Sequence, residues 1–155
     1  MDAKAFRRAC AKYATGITIA AAIDGQGAPH GLTVNSFTSV SMTPPLVLVC
    51  IDYSSNTLPV FRQAAGYGIS VLGEEQEPLS ARFATRGQDR FDGVAWKAGE
   101  TGVPLLDGAL AHLECVTRNV VEAGDHAVFI AEVVRIQTRE GKPLLFFDSA
   151  YRRLP

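Results

Sequence analysis

Residues Gly31 to Pro45 read GLTVNSFTSVSMTPP and run straight into the apolar segment Leu46-Val47-Leu48-Val49-Cys50-Ile51. The quoted stretch holds seven Ser, Thr or Asn side chains and no formal charge. A solvated loop normally carries Lys, Glu or Asp, and a core strand is normally built from Val and Ile. In an extended segment, side chains alternate between faces. One face would carry Thr33, Asn35, Phe37, Ser39 and Ser41; the other would carry Leu32, Val34, Ser36, Thr38, Val40 and Met42. A face of neutral hydroxyls and an amide suits a ligand that takes hydrogen bonds without full charges, such as a heteroaromatic ring with carbonyl and ring-nitrogen acceptors. The pattern also fits a solvent-facing antiparallel strand. Pro44 and Pro45 cannot donate ladder hydrogen bonds, so they mark a break or a sheet edge.

Around this segment the pattern is mostly extended. Asp2 can cap a first helix in which Phe6, Ala9, Cys10 and Tyr13 recur at helical spacing and which Gly16 ends. Residues 17–23 are β-branched and Ala-rich, and 24–27 (DGQG) form a turn. One strand or two cover 31 to about 42, and 46–52 is a buried strand. A short helix is expected over 57–65, with Ser55, Asn56 or Thr57 as its cap, then a strand over 67–72. A helix over 74–84 has Pro78 near its first turn. Residues 85–102 read as a long ordered loop. The β-like runs 110–121 and 127–137 flank the turn 122–125, and 143–147 is a last strand. Six or seven strands joined by tight turns, with two or three short helices, favour an antiparallel barrel over a parallel sheet.

The length of 155 residues fits a single domain, 1–155, and 47% hydrophobic residues suffice for a core. A net charge of −1 without a basic cluster argues against nucleic-acid binding. No apolar run approaches the roughly 20 residues of a membrane span. The opening MDAKAFRRACAKY lacks a signal-peptide apolar core. Three scattered cysteines, Cys10, Cys50 and Cys115, read as reduced and mostly buried thiols of a cytoplasmic protein. His30, His112 and His126 are also scattered, so no metal site is expected. There is no nucleophile–base pair, no carboxylate dyad and no GxGxxG fingerprint.

GLTVNSFTSVSMTPPLVLVCID, with Gly124-Asp125-His126 downstream, resembles the flavin reductase family. These are small NAD(P)H:flavin oxidoreductases of two-component monooxygenases, built on the FMN-binding split barrel. The resemblance extends along most of the chain. It takes in Phe6 to Gly16, Ser55-Asn56-Thr57-Leu58, Leu79-Ser80 to Phe83-Ala84, and Asp89-Arg90-Phe91-Asp92-Gly93-Val94-Ala95-Trp96. It also takes in Pro143-Leu144-Leu145-Phe146-Phe147 and Tyr151-Arg152-Arg153-Leu154.

The resemblance implies a mainly β fold, an antiparallel Greek-key split barrel. It implies hydride transfer from NADH or NADPH to FMN or FAD, with reduced flavin supplied to a separate monooxygenase, and a homodimer. The absence of acid–base machinery accords with this, because the cofactors carry the reactivity and the protein aligns them. It places Thr33, Val34, Asn35 and Ser36 along the isoalloxazine, and Ser39, Val40 and Ser41 near its ribityl chain or pyrimidine edge. Cys50, Ile51 and Asp52 end the adjacent strand. Ser55 and Thr57 sit at a helix start, which suits either a phosphate or simple capping. Arg82 or Arg86 would add a cation, unless they are surface arginines. Phe83 would flank the flavin or fill the core. His126 is the catalytic candidate, on the nicotinamide side, with Asp125 orienting it or shaping the turn. Tyr151 would reach a neighbouring site or pack. Two other readings share the fold: a non-catalytic flavin store or sensor, and an oxidase like pyridoxamine-phosphate oxidase.

Overall fold

A three-residue connection controls how the main sheet is shaped, and the order of elements shows why. The structure, a computed structural model, describes residues 1–87 and 89–155. Along the chain come α1 (Ala3–Cys10), β1 (Thr15–Gly16), β2 (Thr18–Ile23), β3 (Pro29–Val34), β4 (Thr38–Met42), β5 (Pro45–Asp52), α2 (Leu58–Gln63) and β6 (Gly66–Val71). A 3₁₀ turn (Glu74–Gln76) leads into α3 (Glu77–Ala84). Then follow β7 (Trp96–Ala98), β8 (Pro104–Leu106), β9 (Ala111–Ala123), β10 (His126–Thr138), β11 (Leu145–Phe147) and β12 (Ala150–Arg152).

Seven of these strands form one sheet in the order β3-β2-β6-β9-β10-β5-β4, and every neighbouring pair is antiparallel. Strands β3 and β4 are the two edges, yet they are consecutive in the chain. Only Asn35, Ser36 and Phe37 separate them. Seven flat strands spaced about 4.8 Å apart would hold their edges about 29 Å from each other. Four Cα steps of about 3.8 Å span at most about 15 Å. The sheet therefore curls until its edges approach. Among the described residues no ladder joins β3 to β4, so the barrel stays split along that seam.

The curled sheet encloses a core of Ala20, Ala22, Val34, Val47, Val49, Ile51, Tyr67, Ile69, Cys115, Ala127, Phe129 and Ala131. Alternate residues of β5 and β10 supply it, as period-2 patterning requires. Helix α2 plugs the barrel with Leu58 and Phe61. Phe61 packs on Tyr67 and Phe129 at centroid distances of 5.4 and 5.7 Å. Tyr67 Oη donates to the Phe129 carbonyl at 2.9 Å, beside the register shift at Ile130/Ala131. That bond satisfies a buried hydroxyl that would otherwise oppose folding.

A second core, containing Ile17, Ile19, Ala21, Leu72, Phe83, Phe91, Leu106 and Leu144, lies outside the barrel. Strand β2 is thus buried on both faces: Ala20 and Ala22 point into one core, Ile19 and Ala21 into the other. Helix α3 and the short strands cover this outer layer and set the wall of the cleft described below.

The expected elements are present with local differences. Asp2 caps α1, accepting from Lys4 N and Ala5 N at 3.1 and 3.2 Å. Its apolar stripe, however, is uncovered in the single chain, with Phe6 59% and Tyr13 79% exposed. The run 31–42 is two strands, and its alternation changes phase at the break. Leu32 and Val34 face the inner core before it, and Phe37 does so after it. The 85–102 loop contains β7. Only Cys115 of the three free thiols is buried; Cys50 is half-buried and Cys10 exposed. Burial pushes the Cys115 thiol up to about 12. Among the described residues, no helix is long and apolar enough to cross a membrane.

The Glu114 carboxylate, 6% exposed, ties the loop after β7 to the sheet. It accepts from Glu100 N at 3.1 Å, Thr101 N at 2.7 Å and Thr101 Oγ1 at 2.6 Å. A Cβ at Gly99 would collide with this carboxylate, so the close approach requires glycine there. Burial by itself would raise the Glu114 pKa, but these hydrogen bonds outweigh it and the group titrates below 4.5. The stabilisation is complete above that value and is lost as pH falls through the lowered pKa. Glu114→Gln should cost about 2 kcal/mol at pH 7. In urea denaturation, the gap between variant and parent should narrow towards pH 3; a pH-independent gap would refute the assignment.

Candidate functional site

The seam is held by Ser36. Its Oγ accepts from Cys50 N at 3.0 Å and lies 3.3 Å from the Cys50 carbonyl, to which it donates. The partners of β4 on β5 run only from Pro45 to Leu48. The hydroxyl therefore takes up the strand polar groups just beyond the end of that ladder. Across the seam, Thr18 Oγ1 donates to the Val34 carbonyl at 3.0 Å, and Thr33 Oγ1 donates to the Ser80 carbonyl at 2.6 Å. The neutral hydroxyls of the segment thus fix the rim of the split and tie β3 to α3.

At the far end of β5, Asp52 pairs across the sheet with His126, the first residue of β10. Asp52 Oδ1 accepts from Ser54 N and Ser54 Oγ, both at 2.7 Å. These bonds, with His126 and Arg86 nearby, hold its carboxyl below the usual range. Tyr53 N donates to the Asp125 carbonyl at 2.9 Å, which locks the 123–126 turn onto β5. His126 Nδ1 lies 2.6 Å from Asp125 Oδ1. An Asp125 carboxylate at that distance selects the tautomer with hydrogen on Nδ1 and leaves Nε2 for a ligand. One ligand atom from each of Asp52, Asp125 and His126 falls within 4.8 Å of the others.

Beside Asp52, Thr33, Ser55, Phe83, Arg86 and Arg90 border a chamber of about 210 Å³. Ser55 Oγ and Thr57 Oγ1 are 2.7 Å apart, and Ser55 Oγ accepts from Thr57 N at 3.3 Å. Thr57 precedes α2 but makes no side-chain cap bond. Its hydroxyl is therefore engaged with Ser55 rather than with the helix. Arg86 Nη2 donates to Ser54 Oγ at 2.8 Å. Arg90 donates to the carbonyls of Gly31 (2.8 Å) and Thr85 (3.0 Å). Burial lowers the Arg90 guanidinium pKa, and the adjacent positive charge of Arg86 adds to that. Two neighbouring guanidiniums among hydroxyls fit a phosphate. A second chamber of about 600 Å³ adjoins the first, sharing Asn56 and Arg90 with it.

The structure thus brings Thr33, Asp52, Ser55, Phe83 and Arg86 together, with Thr57 in the adjoining wall and Asp125 and His126 beside Asp52. Asn35, Ser39 and Val40 are exposed along the seam and β4; Ser36, Ser41 and Cys50 are half-buried there. Other expectations change. The Val34 and Ile51 side chains belong to the inner core, leaving only their backbone for a ligand, and the Phe83 ring is fully buried in the outer core behind the chamber rather than flanking a ligand. Arg82 donates to the carbonyls of Asp89, Arg90 and Asp92 and borders a different hollow, with Glu75 and Asp107. It anchors the loop that carries Arg90. Tyr151 packs on Phe146, and its hydroxyl lies 2.9 Å from Ser80 Oγ. Arg90 was not foreseen as a site residue. Its only sequence signal is the Asp89-to-Trp96 motif, and its placement depends on the outer core.

A split antiparallel barrel whose seam opens on a chamber bordered by two guanidiniums and several hydroxyls suits a phosphate-bearing ligand. The flavin reductase like domain family matches residues 10–155. The chain belongs to that family. It is 41% identical over 152 residues to the FMN reductase (NADH) SmoA of Agrobacterium fabrum, spanning 98% of this chain and 86% of that one. It is 37% identical over 152 residues to HsaB of Rhodococcus jostii, the reductase subunit of a flavin-dependent monooxygenase, spanning 97% and 77%. The solved structure of the NADH:FAD oxidoreductase SgcE6 of Streptomyces globisporus, in complex with NAD and FAD fragments, superposes with a TM-score of 0.94. That match is 36% identical and covers 99% of this chain and 93% of that one.

Ser36→Ala should leave two backbone groups of Cys50 without a partner and lower stability by about 1–3 kcal/mol. Because the same hydroxyl positions the seam, flavin affinity measured by calorimetry should fall as well. Unchanged stability and affinity would show that the Ser36 bond holds nothing in place.

Proposed function

We propose that this chain is an NADH-dependent flavin reductase that binds flavin in the cleft beside the seam and passes it, reduced, to a separate monooxygenase. The observation that carries this reading is the convergence of hydroxyls and two arginines on one chamber, next to an oriented histidine. When bound, flavin supplies the ring that accepts hydride from the nicotinamide. The chain's own residues bind and align. Ser55, Thr57, Arg86 and Arg90 take the phosphate. Thr33, Asn35 and Ser36 border the ring, with Ser39, Val40, Ser41 and Cys50 along the seam and Val34 and Ile51 contributing backbone. His126, oriented by Asp125 and neighboured by Asp52, offers Nε2 to the nicotinamide or to a proton in transit. The reductase names of the relatives favour catalysis over a flavin store.

Residues 1–155 act as one domain in this reading, and the working unit is a homodimer in the cytoplasm. The uncovered stripe of α1 and the exposed Val40 and Met42 on edge strand β4 support a second copy as cover. Three free thiols accord with a reducing compartment.

Purified protein mixed with FMN or FAD should consume NADH in a flavin-dependent manner, followed by loss of the nicotinamide absorbance. No flavin-dependent loss would end this reading. His126→Ala should slow NADH oxidation up to about 100-fold while flavin still binds. Collapse of flavin binding in that variant would move His126 from the nicotinamide side to the flavin itself.

A further inference from the structure

The turn between β9 and β10 carries Asp125 past the end of β5 and sets His126 opposite Asp52. Every residue from Val121 to Asp125 is exposed. A hairpin tip with so little apolar packing takes its order from polar ties. One tie is the bond from Tyr53 N to the Asp125 carbonyl. The others meet at Glu122, which has no place in the binding and transfer steps.

The Glu122 carboxylate gathers donors from two other parts of the fold. Arg62, in the last turn of α2, donates from Nη1 to Oε1 at 2.7 Å and from Nη2 to Oε2 at 3.1 Å, a bidentate pair. Tyr53, the residue after β5, donates from Oη to Oε2. Tyr53 is thereby held at both ends, by its hydroxyl on Glu122 and by its backbone N–H on Asp125. Arg62 has a firm footing, because the preceding Phe61 is 2% exposed and plugs the barrel. The bonds from Arg62 and then Tyr53 hold the Glu122 carboxyl below its usual range, so at neutral pH it is ionised and keeps these donors.

Helix α2 starts just after Ser55 and Thr57, the hydroxyls of the phosphate corner. Glu122 therefore joins both ends of the transfer. Through Arg62 it is tied to the helix behind that corner, and through Tyr53 to the turn that holds His126. Exposed ion pairs contribute little to global stability. Hydride transfer, by contrast, is sensitive to position: a displacement of about 1 Å can cost about 100-fold in rate.

We infer that Glu122 is a positioning residue for hydride transfer: with Arg62 and Tyr53 it fixes the Asp125–His126 turn relative to α2, so that His126 meets the nicotinamide over the flavin. The inference rests on the reading of His126 as the nicotinamide-side residue, and the effect of Glu122 runs through His126.

Steady-state kinetics, with flavin affinity from calorimetry and stability from urea denaturation, test this. Glu122→Ala should lower kcat/KM for NADH roughly ten-fold, with flavin affinity and the urea midpoint unchanged. Tyr53→Phe removes one hydroxyl and keeps the backbone donor, and should lower kcat/KM roughly three-fold. In a His126→Ala background, Glu122→Ala should cause no further loss, because the group it positions is gone. Parental kcat/KM in Glu122→Ala, or the same loss in the presence and absence of the His126 imidazole, would overturn the positioning role and leave the reading of His126 standing. Parental NADH oxidation in His126→Ala would overturn both.

Discussion

The whole site depends on a length constraint. Three residues, Asn35 to Phe37, must join the two edges of a seven-stranded sheet. No flat sheet satisfies that, so the sheet curls, and the curl creates both an enclosed core and an open seam. The seam leaves strand polar groups without ladder partners. Ser36 takes up those of Cys50, while Thr18 and Thr33 tie down the opposite rim. A segment rich in hydroxyls is what such a seam requires. Val or Ile at Ser36 would leave the Cys50 groups unpaired, and a charged side chain would carry a desolvation cost.

The second constraint is the double burial of β2. Its alternating small and branched residues face two cores, and the outer core holds α3, Phe83 and Phe91 against the barrel. Helix α3 then carries Arg82, which collects the carbonyls of the 89–92 loop. That loop presents Arg90 to the cleft. The phosphate-suited corner is thus built by packing behind it rather than by residues adjacent in sequence. This explains why Arg82, a reasonable cation candidate from spacing, serves the loop, and why Arg90 serves the cleft.

Much of the site was legible because its chemistry is local. Ser55 stands next to a helix start, and His126 follows a turn that holds Asp125, so their position at the surface follows from local signals, whereas Thr57 beside them is buried. Other positions were less readable. Val34 and Ile51 lie in segments whose neighbours face the cleft, yet period-2 alternation turns these two inward. The break at Asn35 to Phe37 reverses the phase of that alternation, which no run of apolar and polar letters records. Tyr151 lies far along the chain, and only the packing of β12 on β11 sets it against Phe146 and Ser80.

From the sequence alone came the class of fold, the antiparallel strand succession, the helix starts and the uncharged, hydroxyl-rich character of the stretch between β3 and β5. Those follow from periodicity, turn residues and hydroxyl content, which act over a few residues at a time. Tertiary structure alone decided which side of that stretch faces the seam and which the core, which arginine meets the cleft, and that two chambers join at Arg90. These depend on curvature and on contacts between segments distant in the chain, because a barrel brings its edges together only after every strand between them has paired.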